Sequence, residues 1–265
     1  MQVYLVLIFC WMINLWGEPT VIGVFGSENG PWSKELREEV WNSSTFRALL
    51  SAAQIEIQEE TRSEPETPVF ILMENGTEIG RLGFLMVPAE KYVSFLKEMV
   101  AIHEMCKNLS ELNSSQLLLF YRKCRLLNME TCAARLLERG LVVDAGTDFL
   151  IESYAKVIKD HPRRAQKIKT EIRKRAPDSP VIEWQLALLK FQAKNENGAH
   201  PSTAVVPLEK YLRRYETQDR ENRWRCHLVL AEFFSEKNIQ DKAQQHYAAA
   251  YQFAPDDMKE MIPHE

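Results

Sequence analysis

No two of the five cysteines form a C-x-x-C pair. Cys10, Cys106, Cys124, Cys132 and Cys226 follow one another at spacings of 96, 18, 8 and 94, which excludes zinc-ribbon and dithiol-redox motifs together. The histidines His103, His161, His200, His227, His246 and His264 include no H-E-x-x-H or H-x-x-x-H pair, and G-x-S-x-G and phosphate-cradling glycine loops are missing. Glycine and proline number only 10 and 12 in 265 residues, which excludes collagen-like and low-complexity chains. Basic residues do not outnumber acidic ones: 33 Lys and Arg against 37 Asp and Glu give a net charge of −4. No global positive field therefore points to nucleic acid. What is present is a chain that is 45% hydrophobic, enough to bury a core, and long enough for about two ordinary domains.

Residues 1–17 carry no charged side chain, and Val3 to Trp16 is apolar apart from Tyr4 and Asn14. Fourteen residues are short for a membrane span, which needs about 20, so a cleaved secretory signal is the expected reading. An uncleaved anchor and a buried strand remain alternatives, because no Lys or Arg precedes the run and bulky Leu15 and Trp16 precede Gly17. In an exported chain Cys106, Cys124, Cys132 and Cys226 allow three disulfide connectivities, between which sequence does not choose. For Cys124 and Cys132, eight apart in a helical region, buried apolar thiols are the plainer reading.

The chain divides by charge and by pattern. Glu18 to Glu104 holds 7 Lys and Arg against 15 acidic residues, net −8, whereas Lys107 to Glu265 holds 26 against 22, net +4. The first part contains short β-type runs at Thr20–Phe25, Gln54–Gln58, Pro68–Glu74 and Thr77–Phe84. Asn75-Gly76 between the last two predicts a hairpin, since a type I′ turn needs positive φ at both central residues. Pro31 to Leu50 reads as a helix with a break near Asn42 to Thr45, and Pro88 to Val100 as a closing helix. Beyond residue 105 the pattern is helical throughout, which sets the expected domains at 18–105 and 114–265.

The segment S-E-N-G-P-W-S-K-E-L, Ser27 to Leu36, resembles the junction where thioredoxin-like proteins carry C-P-W-C-K-x-L after their first strand. Pro31, Trp32, Lys34 and Leu36 match, while Gly30 and Ser33 stand where the two cysteines would be. Glu38 to Phe46 is similar to the E-x-V-F-x-x-x-x-F stretch of secreted members, Gly80 to Phe84 looks like the family's fourth strand, and Thr67-Pro68 matches its cis-proline loop. The resemblance implies a thioredoxin-like fold over about 19–104 without its reactive dithiol. Dithiol exchange needs a thiolate at a helix N-terminus and a second thiol to resolve the mixed disulfide. Glycine offers no nucleophile, and Ser33 has no nearby His in sequence to serve as base, so its expected role is a first-turn or capping hydroxyl. Trp32 is expected as a half-exposed contact residue. Only nine residues, Glu59 to Thr67, separate the second run from Pro68, too few for the family's second crossover helix.

The second part reads as helix pairs: Ser115–Leu127 with Thr131–Leu141, Asp148–Lys159 with Pro162–Lys174, Pro180–Lys194 with Ser202–Tyr215, and Glu221–Glu236 with Ile239–Phe253. The last resembles a tetratricopeptide repeat, with His227, Leu230, Ala231, Phe234, Ala243, Tyr247, Ala250 and Pro255 in the signature slots and only His227 replacing a usual aromatic. Two looser repeats before it would complete an all-α solenoid, so the expected architecture is a trimmed α/β thioredoxin-like domain plus tetratricopeptide-like helices. His161 to Arg175 carries a basic stripe of Arg163, Arg164, Lys167, Lys169, Arg173, Lys174 and Arg175. It reads as a solvated helix face, or as a patch for an acidic protein or an anionic membrane surface. The expected function is a non-catalytic, exported binding or scaffold protein of a bacterial periplasm or envelope. It would take a protein or peptide client and no nucleic acid, cofactor or metal. The alternative is a thiol–disulfide oxidoreductase working through an off-motif cysteine such as Cys106 or Cys226.

Overall fold

The computed structural model describes residues 19–25, 31–61, 68–144 and 146–263. The signal expected at 1–17, Gly30 and Thr67, and with Thr67 the geometry of the Thr67–Pro68 peptide, lie outside the described residues. The chain divides into two compact units, one ending at Val143 and one beginning at Asp144. Among the described residues no helix is long and apolar enough to cross a membrane.

In the first unit, β1 (Thr20–Phe25), β2 (Glu56–Thr61), β3 (Val69–Glu74) and β4 (Thr77–Gly83) form one sheet in the order β2-β1-β3-β4. The neighbours β1 and β2 are parallel, with Val21 opposite Ile57, and β1 and β3 are antiparallel, with Val21 opposite Leu72. The parallel pair needs a crossover. It is supplied by α1 (Pro31–Glu35), a π-helical turn (Leu36–Trp41) and α2 (Ser44–Ala52). Between β2 and β3 no helix is found among the described residues. The β3–β4 hairpin turns at Asn75 and Gly76 with φ of 51° and 72°, the double left-handed geometry that the Asn-Gly pair predicts.

The single helix expected over Pro31–Leu50 is in fact interrupted twice. At its centre Asn42 N–H donates to Arg37 O at 2.9 Å, an i→i−5 bond that widens the turn. The widening lets consecutive Val40 and Trp41 both join Leu36 in the core. The chain then restarts at Ser43, whose Oγ caps Phe46 N–H at 3.4 Å. Trp41 packs in an aromatic cluster with Phe25, Phe46 and Phe70 at centroid distances of 5.5, 6.0 and 5.5 Å, and Tyr92 closes on Phe70 at 5.1 Å. A Cβ at Gly23 would stand 2.7 Å from the Trp41 ring, so the indole occupies the space that a side chain in β1 would need.

Three further helices complete this unit: α3 (Ala89–Lys107), α4 (Ser114–Leu126), begun by a reciprocal Asn113–Gln116 capping box, and α5 (Glu130–Val143). The expected boundary at 105–113 is therefore displaced to 143/144. The reason is a direct backbone contact: Arg81 N–H in β4 donates to Leu127 O at 3.3 Å, and Asn128 Nδ2 donates to Arg81 O at 3.3 Å. The α4–α5 turn thus covers the open edge of the sheet.

The second unit is all-helical: α6 (Asp148–Val157), α7 (Pro162–Arg175), α8 (Pro180–Glu196), α9 (Pro201–Ala204), α10 (Val206–Tyr215), α11 (Arg220–Glu236), α12 (Gln240–Phe253) and α13 (Asp256–Lys259). Prolines open α7, α8, α9 and α10, where a missing N–H costs nothing. The helix expected over Ser202–Tyr215 is divided at Val205 because Pro207 starts a new first turn.

A Cβ at Gly80 would lie 2.7 Å from both Met129 Cγ and Met99 Cε and 3.0 Å from Leu127 O. Gly80→Val should therefore force the turn off β4 and lower stability by about 1–3 kcal/mol, read by urea denaturation of the full chain. Gly83→Val on the same strand, where nothing lies within 4 Å, should stay within about 0.5 kcal/mol of wild type.

Candidate functional site

The segment read from sequence as a redox-motif junction leads into α1, which begins at Pro31. Trp32 is 49% exposed and leans on Phe84, ring centroids 5.1 Å apart. Ser33 is buried and lines a shallow hollow with Lys34, Arg37 and Glu38. Beside it runs a groove of about 260 Å³ between Leu36 and Val40 on one side and Phe84 to Pro88 on the other, with Met86 81% exposed. Among the described residues neither lining contains a histidine or cysteine. Pro68 is buried at the entry to β3. The described part of the junction thus sets exposed Trp32 and an apolar groove beside a small polar hollow.

A second site lies in the helical unit. A cavity of about 410 Å³ is floored by Leu186, Ala187, Val206 and Pro207 and edged by Lys169, Arg173, Lys190, Lys194, Lys210 and Arg214. The cations come as three i,i+4 pairs, Lys169/Arg173 on α7, Lys190/Lys194 on α8 and Lys210/Arg214 on α10, and that spacing puts each pair on one helix face. Glu183 is the one carboxylate in the lining; Arg173 holds it in a fork with Nε–Oε1 2.6 Å and Nη2–Oε2 2.7 Å. Arg214 pairs outward with Asp178. Lys194 Nζ donates to Thr203 O at 2.8 Å. Among the described residues no carboxylate comes within ion-pair distance of Lys169, Lys190 or Lys210.

The charges feel one another. Lys169 is lowered from the ordinary lysine value by burial first and then by Arg173, Lys190 and Lys210. Lys194 is lowered by burial and by Lys190 and Lys210. Burial raises the Glu183 carboxyl, but Arg173 and the surrounding cations outweigh it and hold it below the usual carboxylate range. Tyr215, 4% exposed, also lines the cavity, and its hydroxyl is buried without a hydrogen-bond partner. A concave wall with cations in excess, an apolar floor and an unused hydroxyl can bind an anionic group carried on an apolar or aromatic body.

The structure splits the basic stripe read from sequence. Lys169 and Arg173 face the cavity, whereas Arg163 and Arg164 line a separate open cleft with Asp160 and His161. Lys174 and Arg175 pair with Glu171 at 3.7 and 3.3 Å, and Arg175 Nη1 also donates to Gly146 O at 2.8 Å; Lys167 is exposed. Four of the six cavity cations, Lys190, Lys194, Lys210 and Arg214, escaped the sequence reading because they are split over two helices outside the contiguous basic run. The shared i,i+4 spacing was the signal that could have found them.

Of the repeat positions, Leu230, Ala231, Phe234, Ala243 and Ala250 are buried between α11 and α12, Tyr247 is half-buried, and Pro255 follows the end of α12. His227 meets His246 across the pair, Nδ1 to Nδ1 3.0 Å, and His246 stacks on Phe234 at 5.6 Å. Two facing Nδ1 atoms bond only when one donates and the other accepts, so double protonation breaks the contact. Among the described residues no group of three or more His, Cys, Asp or Glu is arranged to hold a metal ion.

A curated relative, the thioredoxin-related protein DsbJ of Chlamydia pneumoniae, is 26% identical over 163 residues, covering 58% of this chain and 47% of the relative. The chain therefore spans about half the length of that relative. No family model and no solved structure matches the chain. The likeness and the mixed four-stranded sheet followed by helices fit a thioredoxin-like domain with a helical region.

Burial, His246 and Arg223 lower His227 to about 4, below its unfolded value near 6.5. Its neutral form thus contributes stability above pH 6.5 that is lost as pH falls toward 4. Thermal and urea melts at pH 7 and pH 4 should show wild type losing about 1–2 kcal/mol more than His227→Phe, which has no titrating ring there.

Proposed function

We propose that the protein is a non-catalytic binding protein of a bacterial envelope. In this reading a thioredoxin-like domain without its dithiol accompanies tetratricopeptide-like helices that hold an acidic protein or peptide segment. The observation that carries the reading is the cavity of the helical unit, six cations against one carboxylate around an apolar floor. A peptide carboxylate cluster would relieve the repulsion among Lys169, Lys190 and Lys210, and one acceptor would satisfy the Tyr215 hydroxyl. The apolar groove beside Trp32 and Met86 offers a second contact surface, in keeping with a family in which this end of the sheet receives extended peptides. The replacement of the motif cysteines by Gly30 and Ser33 supports the absence of thiol chemistry at the junction. Export is supported by the apolar run at 1–17 and by the bacterial source of the relative.

The oxidoreductase alternative would need a reachable thiol. Cys106, Cys124, Cys132 and Cys226 are all at most 3% exposed, closed to a protein disulfide. Insulin reduction by the full chain should stay at background, and Cys106→Ser or Cys226→Ser should not change it; turnover above background would reject the non-catalytic reading. Binding is tested by fluorescence anisotropy with a labelled hexaglutamate peptide carrying one aromatic residue. Lys190→Glu with Lys210→Glu should weaken it at least tenfold, raised salt should weaken it further, and Arg163→Glu with Arg164→Glu should leave it within about twofold. Equal loss in both double variants would show that general charge, and not the cavity, holds the peptide.

A further inference from the structure

Three of the cysteines meet inside the first unit. Cys106 on α3, Cys124 on α4 and Cys132 on α5 lie close enough together for each thiol to shift the other two, at exposures of 1, 0 and 3%. All are free thiols. Cys132 Sγ lies 3.7 Å from His103 Nδ1, and His103 Nε2 lies 3.1 Å from Glu74 Oε2. The carboxylate accepts from Nε2–H, which leaves Nδ1 as the acceptor facing sulfur. Lys107 also reaches Glu74, at 3.3 Å, and so fixes the carboxylate in place. The three thiols are not equivalent. Contacts from Cys106 and Cys124, together with the imidazole, lower Cys132 against the effect of burial. For Cys106 the contact with Cys124 lowers the thiol, but Cys132 and burial outweigh it and push it up to about 12; Cys124 is raised by both neighbours.

We propose that Cys106, Cys124 and Cys132 are an internal disulfide site, in which Cys132 beside His103 closes one bond with a trio neighbour and the third thiol stays reduced next to it. The oxidant is a small disulfide, R–S–S–R. Cys132 gives its proton to His103, and its thiolate attacks one sulfur of the oxidant, expelling R–S⁻. The second cysteine then loses its proton and attacks the Cys132 sulfur of the mixed disulfide, expelling the second R–S⁻. The two protons leave on the two R–SH products, so the cysteine pair gives up two electrons and the oxidant gains them. Burial places this exchange late in folding, when Cys132 has reached His103 but the three helices have not yet sealed the sulfurs. The resulting bond joins two of α3, α4 and α5.

The test refolds the reduced full chain with oxidised glutathione, alkylates it under denaturing conditions and maps the peptides by mass spectrometry without reduction. The expected product has one disulfide from Cys132 to Cys106 or Cys124, with the third trio thiol and Cys226 alkylated. In Cys106→Ser and in Cys124→Ser the remaining pair closes and no trio thiol is alkylated, and His103→Gln slows closure at least tenfold. Where a variant does not refold, the wild-type map alone decides. Three alkylated trio thiols, a Cys106–Cys124 bond, or a bond to Cys10 or Cys226 would overturn the proposal.

Discussion

The first unit depends on how closely the α4–α5 turn approaches β4. At Gly80 the strand has no side chain, and the space a Cβ would take is filled by Met99, Met129 and the Leu127 carbonyl. That approach lets Arg81 donate its N–H to Leu127 O and accept at its carbonyl from Asn128, and it buries Met129 completely. Everything downstream in the unit inherits its placement from this contact. With the turn seated, α4 and α5 carry Cys124 and Cys132 onto Cys106 of α3, and β3 delivers Glu74 to His103. A glycine in an edge strand thus decides where three thiols meet.

The strands were legible because their signals are local. Alternation, the Asn-Gly turn and Pro31 each act within a few residues, and the four observed strands lie within about three residues of the runs read from sequence. The π-helical turn was not legible. Buried Leu36, Val40 and Trp41 follow an i, i+4, i+5 pattern that an ordinary helix also approximates, and only the room offered by Gly23 selects the wider turn. The place of α4 and α5 in the first unit was equally hidden. An apolar helix stripe announces that it will be covered, not by what, and the covering partner was a strand edge some 50 residues earlier.

The candidate sites divide the same way. The junction was readable as an absence, since the lack of any C-x-x-C pair needs no three-dimensional context to exclude that dithiol. The cation cavity was unreadable as a whole because its charges are split over three helices with apolar residues between them. The contiguous run His161 to Arg175 drew the eye, yet only Lys169 and Arg173 of its seven cations enter the cavity. Folding, not composition, assembled the positive wall in a chain whose net charge is −4.

Such a wall has a cost that argues for a partner. Besides burial, Lys190 and Lys210 disfavour the charged forms of both Lys169 and Lys194, while the Arg173–Glu183 fork and the Arg214–Asp178 pair neutralise only two corners. A surface free to evolve relieves that repulsion by dispersing its cations, as Lys174 and Arg175 do against Glu171. Retaining six on one concavity is consistent with an anion that supplies the missing charge when bound. Linkage then requires the reverse effect: an anion that binds only the folded unit stabilises it, by about 2.7 kcal/mol at a free concentration of 100 times its Kd. The repulsion among the cavity's cations and the affinity of an anion for them are therefore two readings of the same electrostatic term.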